Sequence, residues 1–129
     1  MLLVNDVMIR EVVCVSPFAK LRQALSLMKK HKVKSLVVER STAHDAWGLI
    51  TYSDIVKTVI AEEGDIDLLN VYDVCAKPAL AVGESLDIKY VAKLMTDHRI
   101  KRLLVLRDNE LLGFVSMDDI MDALLNKIE

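Results

Sequence analysis

The chain has 129 residues, 53% of them apolar and 28% charged, and a net charge of −2 at pH 7. That size accommodates one continuous core but not separate substrate and cofactor domains, and the composition excludes a disordered chain. The slight acidity argues against a phosphate-tracking basic surface, and the longest uncharged runs, Val12–Ala19 and Ala46–Ser53, are far shorter than the roughly 18 residues of a membrane span, so neither a nucleic-acid nor a membrane partner is expected.

At the N-terminus, Asn5-Asp6 interrupts the apolar start before a leader could form, so a cytoplasmic protein is expected. Val12–Val15 reads as a short strand, and Ser16-Pro17 after it as a helix start with Ser at the cap and Pro just inside. Leu21, Ala24, Leu25 and Met28 recur at i, i+3, i+4 and i+7, which predicts a helix with one buried face running to the region of His31. Leu36–Val38 and Gly48–Thr51 are predicted strands joined by a polar loop. A second helix is predicted over Ser53–Glu62, with Ile55 and Val59 inward. The segment Glu62–Asn70 is a connector whose Ile66, Leu68 and Leu69 are expected to dock.

The same order then recurs. Ala79–Val82 followed by Gly83-Glu84 reads as a strand and helix start, Ile88, Val91, Ala92 and Met95 mark a helical face, and Leu103–Leu106 and Gly113–Ser116 are strands. Asp118–Ile128 closes the copy as a helix with Ile120 and Leu124 inward. A shift of 67 positions lays Asp6–Glu39 on Asp73–Leu106 with nine identities in 34 positions, and a shift of 65 lays Gly48–Asp54 on Gly113–Asp119. The chain is therefore a tandem repeat: 1–61, a connector 62–70, and 71–129. One copy of about 60 residues has too little surface to bury its own apolar face, so two copies are expected to pack sheet to sheet.

Both copies carry Gly-h-h-Ser/Thr-x-x-Asp, where h is apolar: Thr51 with Asp54, and Ser116 with Asp119. A hydroxyl at a strand end, beside the free N–H groups of a helix start, suits a phosphate oxygen. A carboxylate one turn later suits the paired hydroxyls of a ribose. The same spacing is also a capping box, which contributes about 1 kcal/mol to the helix and nothing to binding. Recurrence of the motif in register favours binding. Lys34 in the first copy, and Lys101 with Arg102 in the second, add cations at the start of the middle strand, though these also fit solvated strand-edge charges.

The duplicated unit, the Asp6-Val7-Met8 and Asp73-Val74-Cys75 openings, the Arg99–Val105 stretch and the repeated Gly-to-Asp motif together resemble the CBS domain family, as a stand-alone pair or Bateman module, over essentially the whole chain. The resemblance implies an α/β (α+β) fold of two β-α-β-β-α repeats packed with pseudo-twofold symmetry through their sheets. It also implies a regulatory module without catalytic activity or cofactor, binding an adenosyl ligand such as AMP, ADP, ATP or S-adenosylmethionine in a cleft between the repeats. Family sites mix the copies, so Asp119, Ser116, Lys101 and Arg102 are expected to work with Ile9 and Val33, and Asp54, Thr51 and Lys34 with Ala76 and Ile100. A homodimer and a regulated protein partner are implied; the alternative is a ligand-independent protein interaction module. Because Ser35 stands where the second copy has Arg102, the Asp119 site is expected to be the tighter one for a polyphosphate.

Other chemistry-bearing residues read as structural. Cys14 and Cys75 lack metal or redox spacing and are expected as small buried side chains. His31 and His98 close matching helices, where the helix dipole favours them. Met8, Met28, Met95, Met117 and Met121 mostly occupy predicted core positions. No phosphate-binding loop, zinc motif or nucleophile with a base beside it is present, so no enzyme is expected.

Overall fold

The structure is a computed structural model that describes residues 1–128. Its secondary structure follows the apolar periodicity closely: β1 (Cys14–Val15), α2 (Leu21–His31), β2 (Ser35–Val38), β3 (Gly48–Thr51) and α3 (Tyr52–Ile55), preceded by a short α1 (Val4–Val7). The chain runs from α3 directly into a π-helical segment, Val56–Ala61, and later forms a 3-10 turn, Val71–Asp73. The second copy supplies β4 (Ala81–Val82), α4 (Ile88–His98), β5 (Arg102–Arg107), β6 (Glu110–Ser116) and α5 (Met117–Leu125).

Two compact units result: Val12–Ala79, and Met1–Glu11 together with the chain from Leu80 onward. In the first, the order is β1-β2-β3, with β1 parallel to β2 and β2 antiparallel to β3. Helix α2 makes the crossover between the parallel strands, which is why its Leu21 and Ala24 are buried with Val15, Leu36, Val38 and Ile50 in one core. The second unit repeats this as β4-β5-β6, with Val91 and Met95 of α4 on Leu103, Val105 and Val115. Asp108 and Asn109, at φ of 51° and 61°, make the tight turn between β5 and β6 that replaces the longer first-copy loop.

The units do not coincide with the repeats, because the leading segments are exchanged. Ile9 pairs with Phe114 of β6, so the first ten or so residues complete the sheet of the second copy; Ala76 pairs with Leu49 of β3 and completes the first. The repeated Asp has a local cause. Asp6 accepts the Leu3 N–H at 2.9 Å and Asp73 accepts the Asn70 N–H at 2.9 Å, each capping a one-turn helix that the apolar pattern is too short to announce.

Several expectations are corrected. Neither long helix starts at the predicted cap: Ser16 Oγ accepts the Phe18 N–H in a turn at 3.1 Å, and α2 begins at Leu21; α4 is capped by Asp87, which accepts the Lys89 N–H at 3.0 Å, not at Gly83. Leu68 is 72% exposed whereas Ile66 and Leu69 dock on the core. Leu124, Met117 and Met121 are also exposed, because α5 presents Ile120 to its core and turns the Met117/Met121/Leu124 stripe away.

Candidate functional site

Both Gly-to-Asp motifs fold alike. β3 and β6 end at Thr51 and Ser116, each at the N-cap of the following helix with extended backbone, and each motif closes as a complete capping box. Thr51 N–H and Oγ1–H donate to Asp54 Oδ2 at 2.9 and 3.1 Å, and the Asp54 N–H returns to Thr51 Oγ1 at 3.4 Å. Ser116 N–H and Oγ–H donate to Asp119 Oδ2 at 3.0 and 2.7 Å, and the Asp119 N–H returns to Ser116 Oγ at 3.1 Å. The box thus uses one oxygen of each carboxylate. Among the described residues, Oδ1 of Asp54 and of Asp119 accepts no hydrogen bond, so each carboxylate retains acceptor capacity beside a helix start. Capping and ligand binding are compatible here.

The backbones of the residues that carry the cations are tied to the motif. The Tyr52 N–H donates to the Lys34 carbonyl at 2.9 Å and the Met117 N–H to the Lys101 carbonyl at 2.8 Å, tying the start of the middle strand to the start of the closing helix. Ser35 pairs with Thr51 across β2 and β3, and Arg102 pairs with Ser116 across β5 and β6. The substitution of Ser35 for Arg102 therefore falls directly opposite the motif hydroxyl. Lys34 is further placed by Tyr52, with its ammonium 5.8 Å from the ring centroid.

Of the apolar candidates, Ala76 lies on β3 two residues before Thr51, and Ile9 lies on β6 two residues before Ser116; both are exposed. Close approach of these edges requires glycine at Gly113 and leaves little room at Gly48. A Cβ on Gly113 would meet the Ile9 carbonyl oxygen at 2.2 Å, and one on Gly48 the Ala76 carbonyl oxygen at 3.1 Å. Val33 and Ile100 are half-buried, Val33 against the core that holds Ile55 and Ile100 against the core that holds Val115. Each follows a left-handed residue, Lys32 or Arg99, that ends the preceding helix.

Sequence reasoning marked a polar loop between β2 and β3 but missed the ion pair that anchors it. Asp45 there accepts Lys77 Nζ at 2.6 Å and Ser41 N–H and Oγ–H at 2.8 and 2.9 Å on Oδ2, and the Ala46 N–H at 2.9 Å on Oδ1. The Lys77 ammonium, followed by the Ser41 donors, holds the Asp45 carboxyl far below the usual carboxylate range. Nothing in a lone Asp and a lone Lys 32 positions apart signals the pairing. His44 and Trp47 share this loop; His44 is exposed, and the Arg40 guanidinium stands 5.1 Å from the Trp47 ring centroid. Cys14 and Cys75 are half-buried thiols whose pKa is raised, by burial first. Among the described residues no three His, Cys, Asp or Glu side chains form a metal-binding group, and no helix is long and apolar enough to cross a membrane.

Known proteins match this arrangement over the whole chain. The family model described as CBS domain matches twice, at residues 4–61 and 71–126. An uncharacterized protein of Methanopyrus kandleri is 30% identical over 121 residues, which cover 93% of this chain and 61% of that one, so the relative is substantially longer. A hexameric CBS-CP12 protein from bloom-forming cyanobacteria superposes with a TM-score of 0.91 at 34% identity, covering all of this chain and 76% of that one. The CBS domain pair of protein MJ0100, solved in complex with 5′-methylthioadenosine and S-adenosyl-L-methionine, shares the fold with a TM-score of 0.85 at 21% identity and 98% coverage of both chains.

Proposed function

Because the chain belongs to the CBS domain family, we propose that it is a regulatory module without catalytic activity that binds adenosyl compounds at its two Gly-to-Asp motifs. The observation that carries this reading is the duplicated box in which one carboxylate oxygen closes the cap and the other stays available, next to a helix start and a cation. In the first unit Asp54 takes the ribose hydroxyls, Thr51 and the helix N–H groups the first phosphate or its equivalent, Lys34 the tail, and the Ala76 edge the base. In the second unit Asp119, Ser116, Lys101 with Arg102, and the Ile9 edge take the same roles. The two ligands in the MJ0100 complex, a thioether and a sulfonium of adenosine, support the adenosyl class. Two cations against one make the Asp119 site the better one for a di- or triphosphate.

A homodimer is part of this proposal. Tyr52, Val56 and Ile60 in the first unit, and Met117, Met121, Leu124 and Leu125 in the second, form exposed apolar stripes at helical spacing that water alone would leave costly. The hexameric assembly of the CBS-CP12 protein supports self-association.

The test is thermal unfolding against AMP, ADP, ATP, NAD and S-adenosylmethionine for the native protein, Asp54→Ala and Asp119→Ala. A ligand that binds only the folded chain raises the Tm with concentration. Failure of every adenosyl compound at millimolar concentration refutes the adenosyl class, and a shift that survives both substitutions refutes the assigned residues.

A further inference from the structure

Segment 76–79 lies along the start of β3, held by the Leu49 and Ala76 N–H groups, each donating to the other residue's carbonyl at 2.9 Å, and by the Ala79 N–H donating to the Trp47 carbonyl at 2.9 Å. So short an edge, with three backbone bonds, frays easily. Across it reaches Lys77, whose ammonium sits 2.6 Å from Asp45 with the two side chains only 22% and 27% exposed, whereas the Arg22–Asp67 pair in the same unit is 62% and 58% exposed. Water therefore screens the Lys77 pair much less. Asp45 is itself fixed by Ser41 and by the Ala46 N–H, so the anchor belongs to a stapled loop and not to a freely moving side chain. The edge pairs with Leu49, two residues before Thr51 on β3, so the clamp and the motif share that strand. In the other unit Arg10, at the position matching Lys77, bonds to Asn5 within its own segment.

We propose that Asp45 and Lys77 are positioning residues that hold the Ala76 edge in its binding geometry, so that the Asp54 site is preformed for the base and ribose of an adenosyl compound and draws little of its affinity from phosphate. This rests on the adenosyl reading above. At this strand start Lys34 lies over Tyr52 and Ser35 stands where the other unit has Arg102, so one cation fewer is on offer to an anionic tail and base and ribose contacts carry the selectivity. Fixing a wall in advance removes the ordering cost that binding would otherwise bear.

The experiment is calorimetric titration of adenosine and ATP into Asp119→Ala protein, which leaves the Asp54 site intact, and into the same background carrying Lys77→Met, Asp45→Asn or Lys77→Arg. Unliganded Tm and circular dichroism are recorded for each variant to establish folding. Lys77→Met and Asp45→Asn are expected to weaken adenosine binding by about tenfold, the scale of ordering one short segment, with Lys77→Arg restoring it and with ATP gaining less over adenosine in the parent background than in an Asp54→Ala background. The same substitutions in an Asp54→Ala background are expected to leave binding unchanged. Unaltered adenosine affinity in folded Lys77→Met protein, or equal weakening in both backgrounds, overturns the positioning role. Failure of both backgrounds to bind any adenosyl compound with Lys77 intact overturns the adenosyl reading itself, and this inference with it.

Discussion

Replacing Gly113 by Ala tests the exchanged-segment architecture directly. The added Cβ would stand 2.2 Å from the Ile9 carbonyl oxygen and 3.1 Å from the Ile9 carbonyl carbon, and these are backbone atoms that no rotamer change can move. Ordinary contact starts near 3.4 Å, so the Ile9 edge must retreat by about 1 Å, which breaks the two bonds it makes with Phe114 at 2.8 and 3.0 Å. Each bond contributes about 1 kcal/mol net and forced overpacking costs about 1–3 kcal/mol. The stiffer unfolded chain returns about 0.4–1 kcal/mol. The net loss is about 2–4 kcal/mol, which for a unit of this size lowers the Tm by roughly 10 °C or more. Gly48→Ala is the internal control: its nearest contacts are 3.1 Å, from the Ala76 oxygen and Val38 Cβ, and an adjustment of a few tenths of an ångström limits the cost to about 1 kcal/mol. The assay is thermal and urea unfolding of both variants, with hydrogen exchange at Ile9 and Phe114. A Gly113→Ala protein as stable as Gly48→Ala, with those amides still protected, refutes the reasoning.

Other outcomes follow from the same contacts. Ser116→Ala removes a buried cap and is expected to cost about 1–2 kcal/mol in urea unfolding, more than the half-buried Thr51→Ala, whereas Ser116→Thr retains most of the stability. The Asp45 carboxyl is depressed in the folded state, so its contribution is complete above the ordinary value of 3.8 and is lost as pH falls toward the folded one. Melting curves from pH 7 to pH 2 should therefore fall less steeply below pH 4 for Asp45→Asn than for the native protein, and parallel curves would exclude the clamp as an acid-sensitive contact. Met121→Glu places a charge in the middle of the α5 stripe and is expected to shift sedimentation toward the monomer at unchanged Tm for dilute protein, a result that an unaltered oligomer would contradict.

Much of this molecule is legible in one dimension. The bounds of α2 and α4 follow from apolar spacing to within a residue or so at the C-terminal ends, because burial of one face sets the period and the basic, left-handed Lys32 and Arg99 positions stop the helix. β3 follows equally, since Gly48–Ile50 is a buried run that ends at the half-buried Thr51. The failures have specific causes. Ser16 and Gly83 resemble caps but belong to turns, because a cap is defined by where the helix N–H groups begin, which a strand-end turn can delay by several residues. Met117, Met121 and Leu124 fit a helical stripe, yet periodicity says only that an apolar face exists and not what covers it.

The amino-acid sequence by itself determined the duplication, the element order and the recurrence of Gly, Ser/Thr and Asp in register, because identity and local spacing survive reading along one line. Only tertiary structure decided that each leading segment completes the sheet of the other repeat, that the motif glycines serve close backbone approach, and that Asp45 meets Lys77. Those facts depend on which distant backbones come within a few ångströms of one another. The cost of a single Cβ or an unpaired charge at such a crossing is set by three-dimensional distance, which no local pattern encodes.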